Sequence, residues 1–163
     1  MGYGHVARKL AYLAKGLGMQ VTVHSTHASD EELTNDGVHR AQTLDELLST
    51  ADVVSLHRVT DTTPILDKAR LFSMRPNAIL INTARGALID DSALAEALHG
   101  GKILAAGLDV FTSEPLPSDS PLRDCPNLIL TPHMAGSGVD ALNRTALKVA
   151  RKVIEGLGIP IPG

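Results

Sequence analysis

Arg85, Glu114 and His133 are the residues whose types and settings can do chemistry. Each lies in a short polar cluster: Asn82-Thr83-Ala84-Arg85-Gly86, Asp109-Val110-Phe111-Thr112-Ser113-Glu114-Pro115 and Thr131-Pro132-His133-Met134-Ala135-Gly136. Arginine presents an always-charged planar fork that grips a carboxylate through paired hydrogen bonds. Histidine gives or takes a proton near neutral pH. A carboxylate holds an imidazole in one tautomer and favours its protonated form. Reduction of a 2-oxo acid needs this set beside a hydride donor. Arg85 would hold the substrate carboxylate, His133 would protonate the developing alkoxide, and Glu114 would orient His133. Taken singly, each has a plainer reading as a surface ion pair, a solvated carboxylate or a loop histidine held by Pro132. Taken together, they favour the chemistry.

The elements that must position them are legible as short aliphatic runs alternating with helices. The runs are Gln20 to His24, Asp52 to Leu56, Ala78 to Asn82, Ile103 to Leu108 and Asn127 to Leu130. Nearly unbroken apolar runs of this length are expected of strands buried on both faces of a parallel sheet. Helices are predicted over about 5–17, closed by Gly18, and after Thr43, which has capping-box spacing to Glu46. Others are predicted near 68–74, over 92–98 behind Asp90 and Asp91, and over about 139–155. The segment Thr112 to Pro126 reads as a long loop. Strand–helix alternation predicts an α/β, doubly wound parallel sheet of Rossmann type. Each polar cluster then sits at the carboxyl edge, where open α/β sheets bind ligands.

Gly2-Tyr3-Gly4-His5-Val6-Ala7 matches the G-x-G-x-x-G/A pattern of a dinucleotide-binding loop. Gly2 permits a tight turn, Gly4 lets backbone approach a pyrophosphate, and Ala7 lets the helix pack closely. The helix start at His5 and Val6 would offer N–H groups and a positive dipole end to the phosphates. The pattern should follow a strand. None precedes Gly2, so the sheet is expected to lack its central first strand and the chain is read as N-terminally truncated. The acid that usually binds the adenosine ribose should lie about 20 residues on. There the sequence reads His24-Ser25-Thr26-His27, with Asp30 as the nearest acid; His24 and His27 are read as solvated loop residues. Ser25 removes one repulsion against a 2′-phosphate, yet no arginine stands nearby in the sequence. NAD is therefore the expected cofactor, with NADP left open. Asp109 is placed to meet its nicotinamide end.

Bulk properties fit one globular domain. The chain has 163 residues, 44% hydrophobic and only 2% aromatic, so its core must be aliphatic. A formal charge of −3 carries no footprint for nucleic acid or an anionic membrane. No apolar run approaches the roughly 20 residues that span a bilayer. A single cysteine, Cys125, excludes an internal disulfide and fits a reducing, cytoplasmic setting. No His/Cys cluster has metal spacing, and His57 with Asp61 and Asp67 is too diffuse, so no metal is expected. His5, His39 and His99 are read as structural. Ser55 and Ser137 lack a base and an elbow, which argues against a hydrolase.

The three clusters, in this order behind the glycine loop, resemble the D-isomer-specific 2-hydroxyacid dehydrogenases over Gly2 to about Gly156. The family includes phosphoglycerate dehydrogenase, glyoxylate/hydroxypyruvate reductases and D-lactate dehydrogenase. The resemblance implies that Arg85 binds substrate carboxylate and carbonyl, that His133 is the acid/base, and that Glu114 is its partner. It places Asp109 on the nicotinamide carboxamide and Gly2, Gly4, His5 and Val6 around the pyrophosphate. Ser25, Thr83, Ala84, His133 and Gly136 are counted with them as cofactor-binding. Related formate dehydrogenases carry Gln where Glu114 stands, which argues against that branch. The family's substrate domain, which precedes the glycine loop, is absent, so residues 1–163 read as a dinucleotide-binding domain. The parent enzyme would be a homodimer acting on a small 2-oxo or 2-hydroxy acid, and the isolated chain is expected to be inactive. Two departures are Ser25 for the ribose-binding Asp, and His57-Arg58-Val59-Thr60 for an apolar-Pro stretch lining the cofactor cleft. The alternative is a catalytically silent nicotinamide-dinucleotide-binding fragment or corepressor-like scaffold.

Overall fold

The structure, a computed structural model, describes residues 1–59 and 63–159. Its chain divides into two compact units, Met1–Pro132 and His133–Gly163. The first unit is α/β. In chain order it runs α1 (His5–Gly16), β1 (Thr22–Val23), α2 (Asp30–Asn35), β2 (His39–Arg40), α3 (Leu44–Thr50), β3 (Val53–Leu56), α4 (Lys68–Ser73) and β4 (Ile79–Asn82). A short 3-10 turn (Gly86–Leu88), α5 (Asp91–His99), β5 (Ala105–Leu108) and β6 (Leu128–Leu130) follow. The strands form a β1-β2 pair and a sheet in the order β3-β4-β5-β6. Every pairing is parallel, with Val53 opposite Ile79, Ile79 opposite Ala105 and Ala106 opposite Leu128.

The helix starts follow from side chains that satisfy orphan backbone donors. Thr43, Asp67 and Asp90 accept from the N–H three residues on, at Glu46, Arg70 and Ala93. Ser29 and Glu32 complete a reciprocal capping box on α2. That helix and its partner strand β2 add to the expected elements, because six and two residues carry too little hydrophobic period to announce themselves. Pairing, not propensity, makes β2 a strand: the His39 N–H donates to the Val21 carbonyl at 2.9 Å and Ala41 to Val23 at 2.9 Å.

The sheet strands do not hide both faces. Val54, Leu56, Leu80, Ala106 and Leu108 are buried, whereas the residues between them are partly open and Val53 is 42% exposed. The buried face meets Leu47, Leu48, Leu71, Leu94 and Leu98 of α3, α4 and α5, which form the main aliphatic core. A second cluster of Tyr3, Ala7, Ala11, Val23, Leu33 and Val38 joins α1 to the β1-β2 pair. The second unit holds one helix, α6 (Val139–Gly156), which buries no residue. It runs one residue past the Glu155 end expected from the sequence, and the left-handed glycine beyond it is Gly158, at φ 67°. Among the described residues no helix is long and apolar enough to cross a membrane.

Leu80, at the centre of β4, is fully buried. Leu80→Ala should lower stability by about 2–5 kcal/mol through lost transfer energy and a residual cavity. Urea unfolding reads this as a shifted midpoint with an unchanged slope; an unshifted midpoint contradicts the core assignment.

Candidate functional site

The glycine loop crosses the ends of β1 and β3. The Gly2 N–H donates to the His24 carbonyl at 2.9 Å, and the His57 N–H donates to the Met1 carbonyl at 2.8 Å. Gly2 is at φ 82°, and a Cβ there would stand 2.7 Å from the His57 carbonyl oxygen, so only glycine fits. Gly4 is the N-cap of α1 and has no side-chain cap; the first turn carries no acid. A Cβ at Gly4 would meet nothing within 4 Å, so its backbone is open to approach. Unpaired N–H groups, a positive dipole end and a Cβ-free approach suit a phosphate diester.

A pocket of about 430 Å³ lies against this loop, with Gly2, Gly4 and Ser25 in its wall. His5 and Val6 are on the exposed first turn of α1, outside that wall, with Val6 67% exposed. His24 and His27, expected to be solvated, line the pocket with Ser25. Burial holds the His24 imidazole below the usual histidine range. The expectation that no arginine stands near Ser25 is corrected. Arg40 donates to the Ser25 carbonyl at 3.1 Å and the Ala28 carbonyl at 2.5 Å, and pairs through Nε with Asp30. Fifteen residues of chain separate Arg40 from Ser25, and the β1-β2 pairing brings them together. Arg8 and Arg58 also line the pocket. Arg8 bonds Glu32 at 2.5 Å and stacks on Tyr3 at 5.0 Å, while the Tyr3 hydroxyl donates to Asp36 at 2.7 Å. Thr60, the end of the altered cleft stretch, lies outside the described residues, as does Asp61.

At the carboxyl ends of β4 and β5, Asn82 organises the backbone. Its side chain is buried, donates through Nδ2 to the Arg85 carbonyl at 2.9 Å and accepts at Oδ1 from the Ala84 N–H at 3.0 Å. The Asn82 carbonyl accepts from the Asp109 N–H at 3.0 Å. Gly86 packs directly on the next loop: a Cβ there would fall 1.9 Å from the Phe111 carbonyl carbon and 2.3 Å from the Thr112 nitrogen. The Arg85 loop and the Glu114 loop are thereby locked together. Arg85 is exposed, with one guanidinium N–H on the Ala84 carbonyl at 2.6 Å; Thr83 is exposed and Ala84 half-buried. Glu114 is exposed and its Oε1 accepts from the Phe111 N–H at 3.0 Å. Asp109 is buried at 4% exposure and accepts from the Thr131 hydroxyl at 2.5 Å, which joins the end of β6 to that of β5. Sequence reasoning finds Asn82 only as a motif letter. A polar residue ending an apolar strand is the available signal of its structural part.

His133 opens the second unit, at φ 51°, a left-handed conformation uncommon for a residue with a side chain. Gly136 follows in the turn closed by the Ser137 N–H on the Met134 carbonyl at 2.9 Å. Among the described residues no cluster of His, Cys, Asp or Glu can hold a metal ion.

Comparison with known proteins matches the geometry. Residues 1–135 fit the model of the D-isomer specific 2-hydroxyacid dehydrogenase, NAD binding domain. D-3-phosphoglycerate dehydrogenase of Haemophilus influenzae is 39% identical over 161 residues, covering 95% of this chain and 38% of that protein. The NAD-complexed D-isomer specific 2-hydroxyacid dehydrogenase of Lactobacillus delbrueckii ssp. bulgaricus superposes with a TM-score of 0.81 at 27% identity. That match covers 98% of this chain and 53% of the other. An acyclic imino acid reductase in complex with NADPH and D-Arg superposes with a TM-score of 0.84 at 30% identity, covering 96% and 49%. The chain thus spans between about two fifths and half the length of these relatives.

Two outcomes follow from the geometry. Gly86→Ala must push the two loop backbones apart and should cost about 1–3 kcal/mol, as overpacking does; an unchanged urea midpoint contradicts the close approach. His57 is half-buried, with its Nε2 2.9 Å from the Ser55 hydroxyl, and burial pushes its pKa down from 6.5 to about 4. Between those values the unfolded chain binds the extra proton, so stability rises with pH through the window and is lost as pH falls through it. His57→Gln should flatten that dependence in urea midpoints measured from about pH 6.5 to about pH 4; an unaltered slope assigns the titration elsewhere.

Proposed function

From the premise that this chain belongs to the D-isomer specific 2-hydroxyacid dehydrogenase family, we propose that it carries the cofactor half and the acid–base residues of a reductase of 2-oxo acids. The observation that supports this best is the join between the Arg85 and Glu114 loops, made by the buried Asn82 amide and the Gly86–Phe111 packing. It holds a carboxylate-binding cation and a carboxylate on one edge of one sheet. A pure scaffold has no need of that pair.

The bound nicotinamide supplies the hydride. The chain's own residues handle charge and protons. Arg85, exposed at the end of β4, offers a guanidinium fork to the substrate carboxylate and orients the adjacent carbonyl. His133, as imidazolium, gives its proton to the carbonyl oxygen as the alkoxide develops; in the reverse direction the neutral ring takes the hydroxyl proton. Glu114 holds that ring in the required tautomer and favours its charged form. The left-handed backbone at His133 supports a functional placement, because such conformations persist where surroundings enforce them. Buried Asp109, with Thr83, Ala84 and Gly136, would meet the nicotinamide end.

NAD is the proposed cofactor. The cations near Ser25 are already committed: Arg40 to Asp30, and Arg8 to Glu32 and Asp36. Glu32 itself lines the pocket and would repel a 2′-phosphate. Gly2, Gly4 and Ser25 would hold the pyrophosphate and ribose, with backbone N–H groups of His5 and Val6 at the helix start.

In the active protein, His133→Gln should lower kcat by about 10²–10⁴-fold while leaving NADH affinity within about twofold. Arg85→Gln should act chiefly on KM for the 2-oxo acid. Wild-type turnover in the His133 variant overturns its role. Fluorescence titration should show NADH binding at least tenfold tighter than NADPH; the reverse order overturns the cofactor assignment.

A further inference from the structure

The edge of β1 and the edge of β3 face one another across a single extended segment, Met1–Gly2. Met1 donates through its nitrogen to the Ser55 carbonyl at 2.8 Å and accepts from the His57 N–H at 2.8 Å, the slanted pattern of a parallel ladder. Gly2 turns the other way and donates to the His24 carbonyl at 2.9 Å. One strand's width therefore separates the two sheets at this end.

Behind Met1 the same two edges continue. A residue's N–H and C=O point to the same side of a strand, and successive residues alternate. The Val21 and Val23 carbonyls accept from β2 and its flank, so the N–H and C=O of Thr22 and of His24 face away from β2. The Asp52 carbonyl accepts from Ile79, so Val53 and Ser55 face away from β4, as the Ser55 bond to Met1 shows. Thr22, Val53 and Ser55 thus aim backbone donors and acceptors into one cleft. Its α1 side is apolar, formed by Ala7, Leu10, Ala11 and Ala14 beside a space of about 200 Å³. Its α3 side has Leu47 and Ala51, with Thr50 and Asp52, beside a space of about 510 Å³. Leu10, Met19 and Val53 are each more than two-fifths exposed there.

We propose that this cleft accepts a separate extended apolar peptide as a parallel strand, joining the β1-β2 pair and the β3-to-β6 sheet into one. The occupant is set by the two-sided geometry. A strand on the edge of a folded second copy is already paired on one side and can satisfy only one of the two edges here. A lone extended segment can satisfy both, which is how strand addition supplies affinity through main-chain hydrogen bonds. Burial between α1 and α3 selects an apolar run rather than an alternating one, with branched side chains fitting against the alanines of α1.

The test uses the full chain and an acetylated, amidated peptide, Lys-Lys-Val-Ile-Val-Ala-Val, whose lysines keep it dissolved. Calorimetry should show saturable 1:1 binding. Amide hydrogen exchange at Thr22, His24 and Ser55 should slow by more than tenfold when the peptide is present. A peptide N-methylated at alternate residues keeps its apolar surface but loses the ladder, and should bind more than tenfold more weakly. That comparison leaves the protein's own folding untouched. No saturable binding, or equal binding of the N-methylated peptide, overturns the proposal. So does concentration-dependent protection of those amides without peptide, which would make the occupant a second copy.

Discussion

One buried amide ties the working edge of the sheet together. Asn82 ends β4 inside the core, where an unsatisfied polar side chain would cost about 1–3 kcal/mol. It meets that constraint by bonding the backbone of the two loop residues that follow, Ala84 and Arg85. The loop consequently turns back over β5 instead of running on, and Gly86 is pressed against Phe111 at a distance no side chain allows. The positions of Arg85, Asp109 and Glu114 all descend from that turn. The Asp109 N–H on the Asn82 carbonyl and the Thr131 hydroxyl on Asp109 carry the same order across to the end of β6.

The phosphate end is organised by different physics. There, glycine supplies conformations and space, while charge is balanced rather than accumulated. Arg8 and Arg40 each meet acids of α2, so the basic residues near Ser25 brace the loop between β1 and α2. Exposed pairs of this kind contribute little stability singly. Their consequence is geometric: Arg40 holds the Ser25 and Ala28 carbonyls, and Arg8 stacks on Tyr3 beside the glycine turn. A pocket braced by neutralised cations, with Glu32 in its wall, favours a dinucleotide whose ribose carries hydroxyls over one carrying a further phosphate.

Much of this architecture is legible in the chain itself. Five aliphatic runs locate β1 and β3 to β6 because buried strands need continuous apolar sequence. Caps at Thr43 and Asp90 mark α3 and α5, since an orphan N–H can be satisfied by so few side chains. The polar clusters are readable because each begins where a strand's apolar run stops. What stays hidden is whatever depends on pairing. The two residues of β2 have no period of their own, and α2 is too short to show one. Arg40 looks remote from Ser25 because their separation along the chain says nothing of a parallel register. The sheet's open face is hidden too: the runs are apolar enough to be covered on both sides, yet α3, α4 and α5 cover only one within this unit.

By itself, the sequence determined the chemistry on offer: a fork for a carboxylate, an acid–base ring with a carboxylate to partner it, and a helix start stripped of side chains. Residue type and local spacing suffice for that, because capping, turn geometry and ionisation are local properties. Only the tertiary structure decided which of these meet. It placed Gly2, Gly4 and Ser25 around one pocket, locked the Arg85 loop to the Glu114 loop through Asn82 and Gly86, and brought Arg40 to Ser25. Those contacts arise from strand register and from close packing of one backbone on another. Neither leaves a signal in the neighbouring residues of the chain.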